Sequence, residues 1–486
     1  MSSIIDGVTH LRPTCEALPD PDTPAQNRAL PIRVLVLIPT LNRGGAEMDL
    51  VRTLPRIDRA RFRITVCTFL ARGELSRFLQ AQGIEVIGPF SSLYPLHQFI
   101  RRILRTVSSA LRHVTSLLLR PPRPARRVIN PILLLLKRLR LIDVLQRATK
   151  TCSRFVQALY SSPQSLAYLM EIVRIARPIA GYIRASDVHV VHTILPNSYL
   201  VGGCASVLAG GRPLIMSRLS LNLYQREYRL IGFIERRVLH RRVKAAIGNS
   251  HAVLRDLREE NINESKLHLV HNGIDVRAFA KEMVDCPTAR RVLGIPGGTL
   301  VFTVIANLHP YKGHRDLLAA LAALSRAWHS EWLCLFAGKD VHDHLPELKR
   351  LCQHHGLSKN VAFLGARTDV PVILSASDIH VSASHQEGLP NNIIEAMCAR
   401  LPVVATAVGG VPELVVHGRT GYLLPPHDVD EMTGALLALA RAPWRRKAFG
   451  EAGYARVASR FSIDRNVSAF ESIYAGLASR RHMVAA

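Results

Sequence analysis

Short runs of aliphatic and β-branched residues, separated by helical patterns, recur through this chain in two series. The first opens with Ile32–Ile38 (Ile-Arg-Val-Leu-Val-Leu-Ile), which ends at Pro39. It continues with 63–69, 83–88, 188–192, 213–217, 245–247 and 267–270. The second starts after Pro296 and comprises 300–306, 333–337, 361–364, 379–382 and 403–406. Near-continuous apolar runs of this length are what parallel strands buried on both faces require. Their alternation with helices points to doubly wound α/β units. Two such halves are expected, at 31–280 and 296–455. They are joined by a Pro- and Gly-bearing linker and followed by a helical tail at 456–486. Residues 1–30 carry prolines and acids without an apolar core, and read as a disordered leader.

The spacing breaks once. After Val86-Ile87 about a hundred residues pass before the next strand run, where a loop of ~4–6 residues is usual. The stretch at about 91–185 is therefore expected to be an insertion in the N-terminal half. It carries much of the charge asymmetry of a chain with 63 Lys+Arg, 37 Asp+Glu and a net charge of +26. Residues 101–150 hold 13 basic residues and a single acid, Asp143, whereas 296–455 balance at 14 of each sign. On a helical wheel Arg101, Arg102, Arg105 and Arg112 fall opposite Phe99, Ile103, Leu111 and Leu118. A basic face beside an aliphatic face suits a helix lying on an anionic membrane surface. Packing of the same leucines against the protein is the competing expectation. With 6% aromatic residues and no aromatic-basic strand, a single-stranded nucleic acid partner is not expected.

Eight cysteines stand without a Cys-x-x-Cys pair, which argues against a zinc site or a disulfide framework. No window reaches the ~20 apolar residues of a spanning helix. A cytoplasmic location is expected, peripheral to the inner face of the cell membrane.

Chemistry concentrates in 382–397, where a strand end, a loop through Gly388-Leu389-Pro390 and a helix from Asn391 carry Glu387 and Glu395. A helix start after a small-residue loop offers N–H groups and a positive dipole end to an anion. Lys312-Gly313 follows another strand of the same half, and a lysine there can neutralise a phosphate as a point charge. Gly409-Gly410-x-Pro412-Glu413 and Gly418-x-x-Gly421 form two further glycine-rich turns. In the N-terminal half, Gly44-Gly45 opens the first helix. His192 and Arg218 stand at strand ends, where Arg218 is expected to grip a phosphate of the acceptor.

These segments, with Asn249-Ser250 and Asn272-Gly273-Ile274-Asp275, resemble the retaining nucleotide-sugar glycosyltransferases of family 4 (group 1), from about residue 31 to 445 without the insertion. The resemblance implies a GT-B fold, with two Rossmann-like domains facing across a cleft and the nucleotide on the C-terminal one. It implies that Glu395 binds the ribose, Lys312 the diphosphate and Glu387 the donor sugar. The backbone of Gly388, Leu389, Pro390 and Asn391 would close on the diphosphate opposite Gly44 and Gly45. Glu387, Lys312 and His192 are the catalytic expectations. No metal or other cofactor is implied, and no Asp-x-Asp motif stands near a strand end. Asn307 is counted among the donor-binding residues by its place in the resemblance. Two departures are Asn307 itself, where an arginine is common, and Ile194, where many members have a second histidine.

The activity implied is hexosyl transfer with retention from a UDP- or GDP-sugar to a glycan or lipid-linked acceptor in cell-surface polysaccharide synthesis. A catalytically altered GT-B scaffold binding at a membrane, or a GT-B nucleotide-sugar epimerase, are the alternatives.

Overall fold

The computed structural model describes residues 30–90, 163–222, 225, 229–341 and 343–485. Two parallel sheets organise it. The N-terminal sheet contains β1 (Ile32–Ile38), β2 (Phe62–Thr68), β3 (Glu85–Ile87), β4 (Val190–Ile194), β5 (Leu214–Arg218), β6 (Ala245–Gly248) and β7 (Leu267–Leu269). Its seven strands lie in the order β3-β2-β1-β4-β5-β6-β7. The C-terminal sheet contains β8 (Leu300–Ile305), β9 (Trp332–Ala337), β10 (Val361–Gly365), β11 (Ile379–Ser382), β12 (Val403–Thr406) and β13 (Gly421–Leu424). Its six strands run β10-β9-β8-β11-β12-β13. This is the GT-B α/β architecture, two Rossmann-like domains in one chain.

Each strand order reverses once, between β1 and β4 and again between β8 and β11. Connections leave such a point on opposite faces, so a crevice opens outside the carboxyl ends of the strands. The Gly44-Gly45, Lys312-Gly313, Glu387 and Gly409-Gly410 segments stand in loops beside these ends.

One strand differs from expectation. Gly421–Leu424 reads in sequence as part of a glycine-rich turn, yet it pairs in parallel with β12 as the edge strand β13. Its glycine permits a close approach that the short run does not advertise, since a Cβ on Gly421 would lie 1.9 Å from the Val403 carbonyl oxygen.

Of the stretch expected as an insertion, residues 91–162 lie outside the described residues, and with them the basic amphipathic helix. The final part, Pro163–Ala185, is one helix. It packs Ile172, Ile175, Ile179 and Ile183 into the core beside Leu35 and Leu37 of β1. It therefore serves as the crossover that delivers the chain to β4.

The opposite face of the N-terminal sheet is covered from the far end of the sequence. The helix Ile463–Ala485 buries Phe470, Ile473 and Tyr474 against Val34, Val36 and Ile38. The chain thus crosses between domains twice, and the crossings pair. Ile274 donates to the Phe461 carbonyl at 2.9 Å and accepts from the Ile463 N–H at 3.0 Å. Among the described residues no helix is long and apolar enough to cross a membrane.

Candidate functional site

At the C-terminal reversal point two loops meet. The turn after β8, Pro310–Lys312, is followed by Gly313 in the left-handed region (φ 67°) and then by the helix His314–Ala327. A Cβ on Gly313 would fall 1.9 Å from the Ala383 carbonyl oxygen, so only glycine lets this turn touch the loop after β11. The His385 N–H donates to the Tyr311 carbonyl at 2.7 Å and ties the same loops together. Across this junction Lys312 Nζ meets Glu387 Oε1 at 2.6 Å, with both side chains largely sheltered. Nζ also lies 5.3 Å from the centre of the Tyr311 ring, within cation–π range. The Gly313→Ala variant is expected to lose about 1–3 kcal/mol of stability from backbone strain alone, measured by urea unfolding. An unchanged midpoint would show that the two loops are not in contact.

The loop through Gly388 leads to the helix Asn391–Cys398, whose preceding residue, Pro390, brings no side-chain cap. The positive end of its dipole therefore meets the loop without a side-chain acceptor from Pro390. Gly388 accepts from the Gly410 N–H at 2.8 Å, and a Cβ on Gly409 would strike the Glu387 carbonyl oxygen at 1.8 Å. The Gly409-Gly410 turn is the floor under the Glu387 loop.

Polar contacts tie the N-terminal domain to this loop and to the helices beside it. Asn391 donates from Nδ2 to the Gly45 carbonyl at 3.0 Å. Asn272 donates from Nδ2 to the Leu389 carbonyl at 2.9 Å and to Asn391 Oδ1 at 2.8 Å. Glu413 accepts from the His251 N–H at 2.7 Å and contacts His271 Nε2 at 2.9 Å. Finally, Arg52 in the helix Gly45–Thr53 pairs with Glu395 Oε1 at 2.6 Å. Beside Arg52 in the same helix, Asp49 is buried and its carboxyl is pushed up to about 7. Burial raises it, while the Arg52 charge and the Gly273 N–H pull the other way.

Arg52, and the bridging roles of Asn272 and Glu413 within their motifs, were not legible in the sequence. Arg52 and Glu395 are 343 positions apart, and no local pattern announces their contact. The Gly-Gly-x-Pro-Glu turn did contain Glu413, but as a motif without a partner.

Two expectations, for His192 and Arg218, are corrected by the geometry. His192 is buried, with Nδ1 at 2.8 Å from the Tyr474 hydroxyl and Nε2 at 2.7 Å from Ser217 Oγ. Burial holds its pKa down at about 3, so the ring is neutral and both nitrogens are engaged. It anchors the C-terminal helix to β4 rather than reaching a donor sugar. Arg218 is 2% exposed and does not face an acceptor. Its guanidinium is bonded to Glu260 and lies 3.7 Å from Glu235, inside the domain. Asn307 is exposed, but its side-chain oxygen accepts from the Lys339 N–H at 2.9 Å and so joins the loops after β8 and β9.

With that arrangement in view, the comparisons with known proteins are decisive about kinship. Residues 285–456 match the family model "Glycosyl transferases group 1", and residues 153–278 match "Glycosyltransferase Family 4". The chain belongs to the group 1, family 4 glycosyltransferases. The N-acetyl-alpha-D-glucosaminyl L-malate synthase of Bacillus anthracis is 27% identical to this family member over 46% of its chain and 58% of the synthase. The lipopolysaccharide core biosynthesis mannosyltransferase LpsB of Rhizobium meliloti (strain 1021) is 28% identical over 43% of this chain and 60% of its own. The chain thus spans less than two thirds of the length of these relatives. Among solved structures, Anabaena Alr3699/HepE in complex with UDP-glucose superposes with a TM-score of 0.66 at 20% identity. It covers 91% of this chain and 100% of its own, a likeness of fold.

Proposed function

We propose that this family member transfers a hexosyl group, with retention, from a nucleotide-diphosphate sugar to a glycan or lipid-linked acceptor in cell-surface polysaccharide synthesis. The observation that carries the reading is the meeting of Lys312 and Glu387 at the reversal point of the C-terminal sheet. The helix Asn391–Cys398 starts beside them, and Gly44-Gly45 is docked opposite through Asn391. A diphosphate entering there finds a lysine, a helix N-terminus and backbone approaching through glycines, which is the chemistry of an anion site.

In the reaction, the bond between the sugar C1 and the diphosphate oxygen breaks, and the acceptor hydroxyl oxygen bonds to C1 on the same face. The hydroxyl proton passes to an oxygen of the departing diphosphate. Lys312, released from Glu387, stabilises the charge that develops on the leaving oxygens, and Glu387 turns to the sugar hydroxyls. Such preorganised charge supplies a large part of many enzymes' acceleration. The chain's own groups bear this charge, and no metal or other cofactor is assigned to the step. UDP- and GDP-sugars are the donors proposed. The basic stretch at 101–150 is proposed to hold the enzyme on the anionic inner face of the cell membrane, near a lipid-linked acceptor.

The test is a panel of UDP- and GDP-sugars with candidate acceptors, read as nucleoside diphosphate released and as the anomeric configuration of the product. Release that requires the acceptor supports transfer; interconversion of the nucleotide sugar alone would identify an epimerase. The Arg52–Glu395 contact favours a second reading, a GT-B scaffold with its ribose carboxylate already taken. The Glu395→Ala variant separates the two. It is expected to weaken nucleotide binding at least tenfold by isothermal titration, whereas a scaffold would show no nucleotide affinity to lose.

A further inference from the structure

Outside the proposed donor groups, three side chains from three distant segments converge on one point. Asp316 lies in the first turn of the helix His314–Ala327, His385 in the loop after β11, and His427 in the loop after β13. His385 Nε2 lies 2.8 Å from Asp316 Oδ2, and His427 Nδ1 lies 3.3 Å from the same oxygen. One candidate donor atom from each residue falls within 4.8 Å of the other two. The two rings are in contact, with centroids 3.9 Å apart and planes tilted by 42°.

The backbone is bent to achieve this. His427 has φ 67°, in the left-handed region, a conformation that costs a non-glycine residue about 1 kcal/mol or more. The next residue, Asp428, caps the helix Val429–Ala440 by accepting from the Glu431 N–H, so that helix start fixes the position of the turn. A glycine would make the turn without strain. A histidine there brings its ring onto His385 and Asp316.

We propose that Asp316, His385 and His427 form a binding site for a borderline divalent cation of the zinc, nickel or cobalt class. Two imidazoles and one carboxylate match those ions, whereas magnesium and calcium prefer all-oxygen shells. The spacing also fits. Metal–ligand bonds of ~2.0–2.1 Å place tetrahedral donors about 3.3 Å apart, the separation already present between His427 and Asp316. The His385–Asp316 pair, at 2.8 Å, would open by about half an ångström. Three protein ligands leave a fourth position for water, and exposed His427 provides access.

The site has a structural consequence that is separate from sugar transfer. Asp316 follows Lys312 by four residues, and His385 precedes Glu387 by two. A bound ion would cross-link the two loops that carry those groups, and would also tie them to the loop after β13.

The experiment uses the full chain, stripped with EDTA and titrated with zinc chloride by calorimetry, beside His427→Gly and Asp316→Asn. Glycine suits the left-handed turn, so the first variant keeps its fold while losing a ligand. Wild type is expected to bind zinc saturably, with a matching rise in melting temperature by mass action. Each variant is expected to bind at least tenfold more weakly and to lose that rise. The assignment is overturned if wild type shows no saturable binding, or if either variant binds zinc with wild-type affinity. The chain's other histidines would account for that last result.

Discussion

In the Lys312→Ala variant, turnover with the preferred nucleotide sugar is expected to fall by about 10²–10³-fold, the usual cost of removing one preorganised group that meets developing charge. KM is expected to change less, because charge on the leaving diphosphate is greatest in the transition state. Lys312 is placed for this by the Gly313 turn, by the Tyr311 ring and by its ion pair with Glu387. Arginine at this position keeps the charge but spreads it over a planar fork, so Lys312→Arg should recover only part of the loss. Steady-state release of nucleoside diphosphate measures both variants. A rise in KM with unchanged kcat would mean that Lys312 binds substrate without assisting departure of the leaving group. Circular dichroism and thermal melting guard against a trivial cause, since the change leaves Glu387 sheltered without its lysine.

The second large effect concerns stability. Arg218→Met is expected to lower unfolding free energy by about 3–5 kcal/mol, because it leaves buried carboxylates without their cation. Glu260 holds the centre of this network. It is bonded to Arg218, receives the Nε2–H of His240 at 2.8 Å and accepts from Gln225 at 3.1 Å. Tyr199 lies 3.0 Å from the other ring nitrogen of His240, which can accept its hydroxyl proton. Burial alone would raise the Glu260 carboxyl, but His240 and Arg218 outweigh it and draw the pKa from 4.5 down to about 2. A carboxyl depressed on folding stabilises the protein above its unfolded pKa. That contribution is lost as the pH falls from about 4.5 towards about 2. In Arg218→Met the folded pKa rises towards the unfolded value, so the acid-dependent loss should be smaller and end at higher pH. Urea unfolding at pH 7 and across pH 2–5 checks both statements. A wild-type midpoint in the variant would show that the buried charges are already satisfied without Arg218.

These two residues show where sequence reading works and where it fails. Lys312 could be singled out because its neighbourhood is local: a strand end, a turn and Gly313 stand consecutively. Glu387 and Glu395 were legible for the same reason, on one strand–loop–helix unit. Arg218 also stood at a strand end and invited the same inference. Its side chain instead turns inward, and the partners that draw it there, Glu235 and Glu260, lie 17 and 42 positions away. His192 met the same fate, sealed by Tyr474 from a helix 282 positions later. Strand-end residues are thus ambiguous until the covering element is known. The two domains were visible because each strand announces itself by its own apolar run. The edge strand β13 was not, because a four-residue strand beginning with glycine carries little periodic signal.

Sequence alone determined the twofold α/β plan, the kinship and the placement of Lys312, Gly313, Glu387 and Glu395 around loops of one half. The kinship rests on the resemblance of motifs in their order, and the other features on backbone geometry and local hydrophobic spacing, which neighbouring residues set. Tertiary structure alone decided that the last helix returns to the first sheet, that Arg52 holds Glu395 across the cleft, and which polar strand-end residues are buried. It also brought Asp316, His385 and His427 together. Contacts between remote segments depend on how layers pack, and packing is settled by the whole folded chain rather than by any window of it.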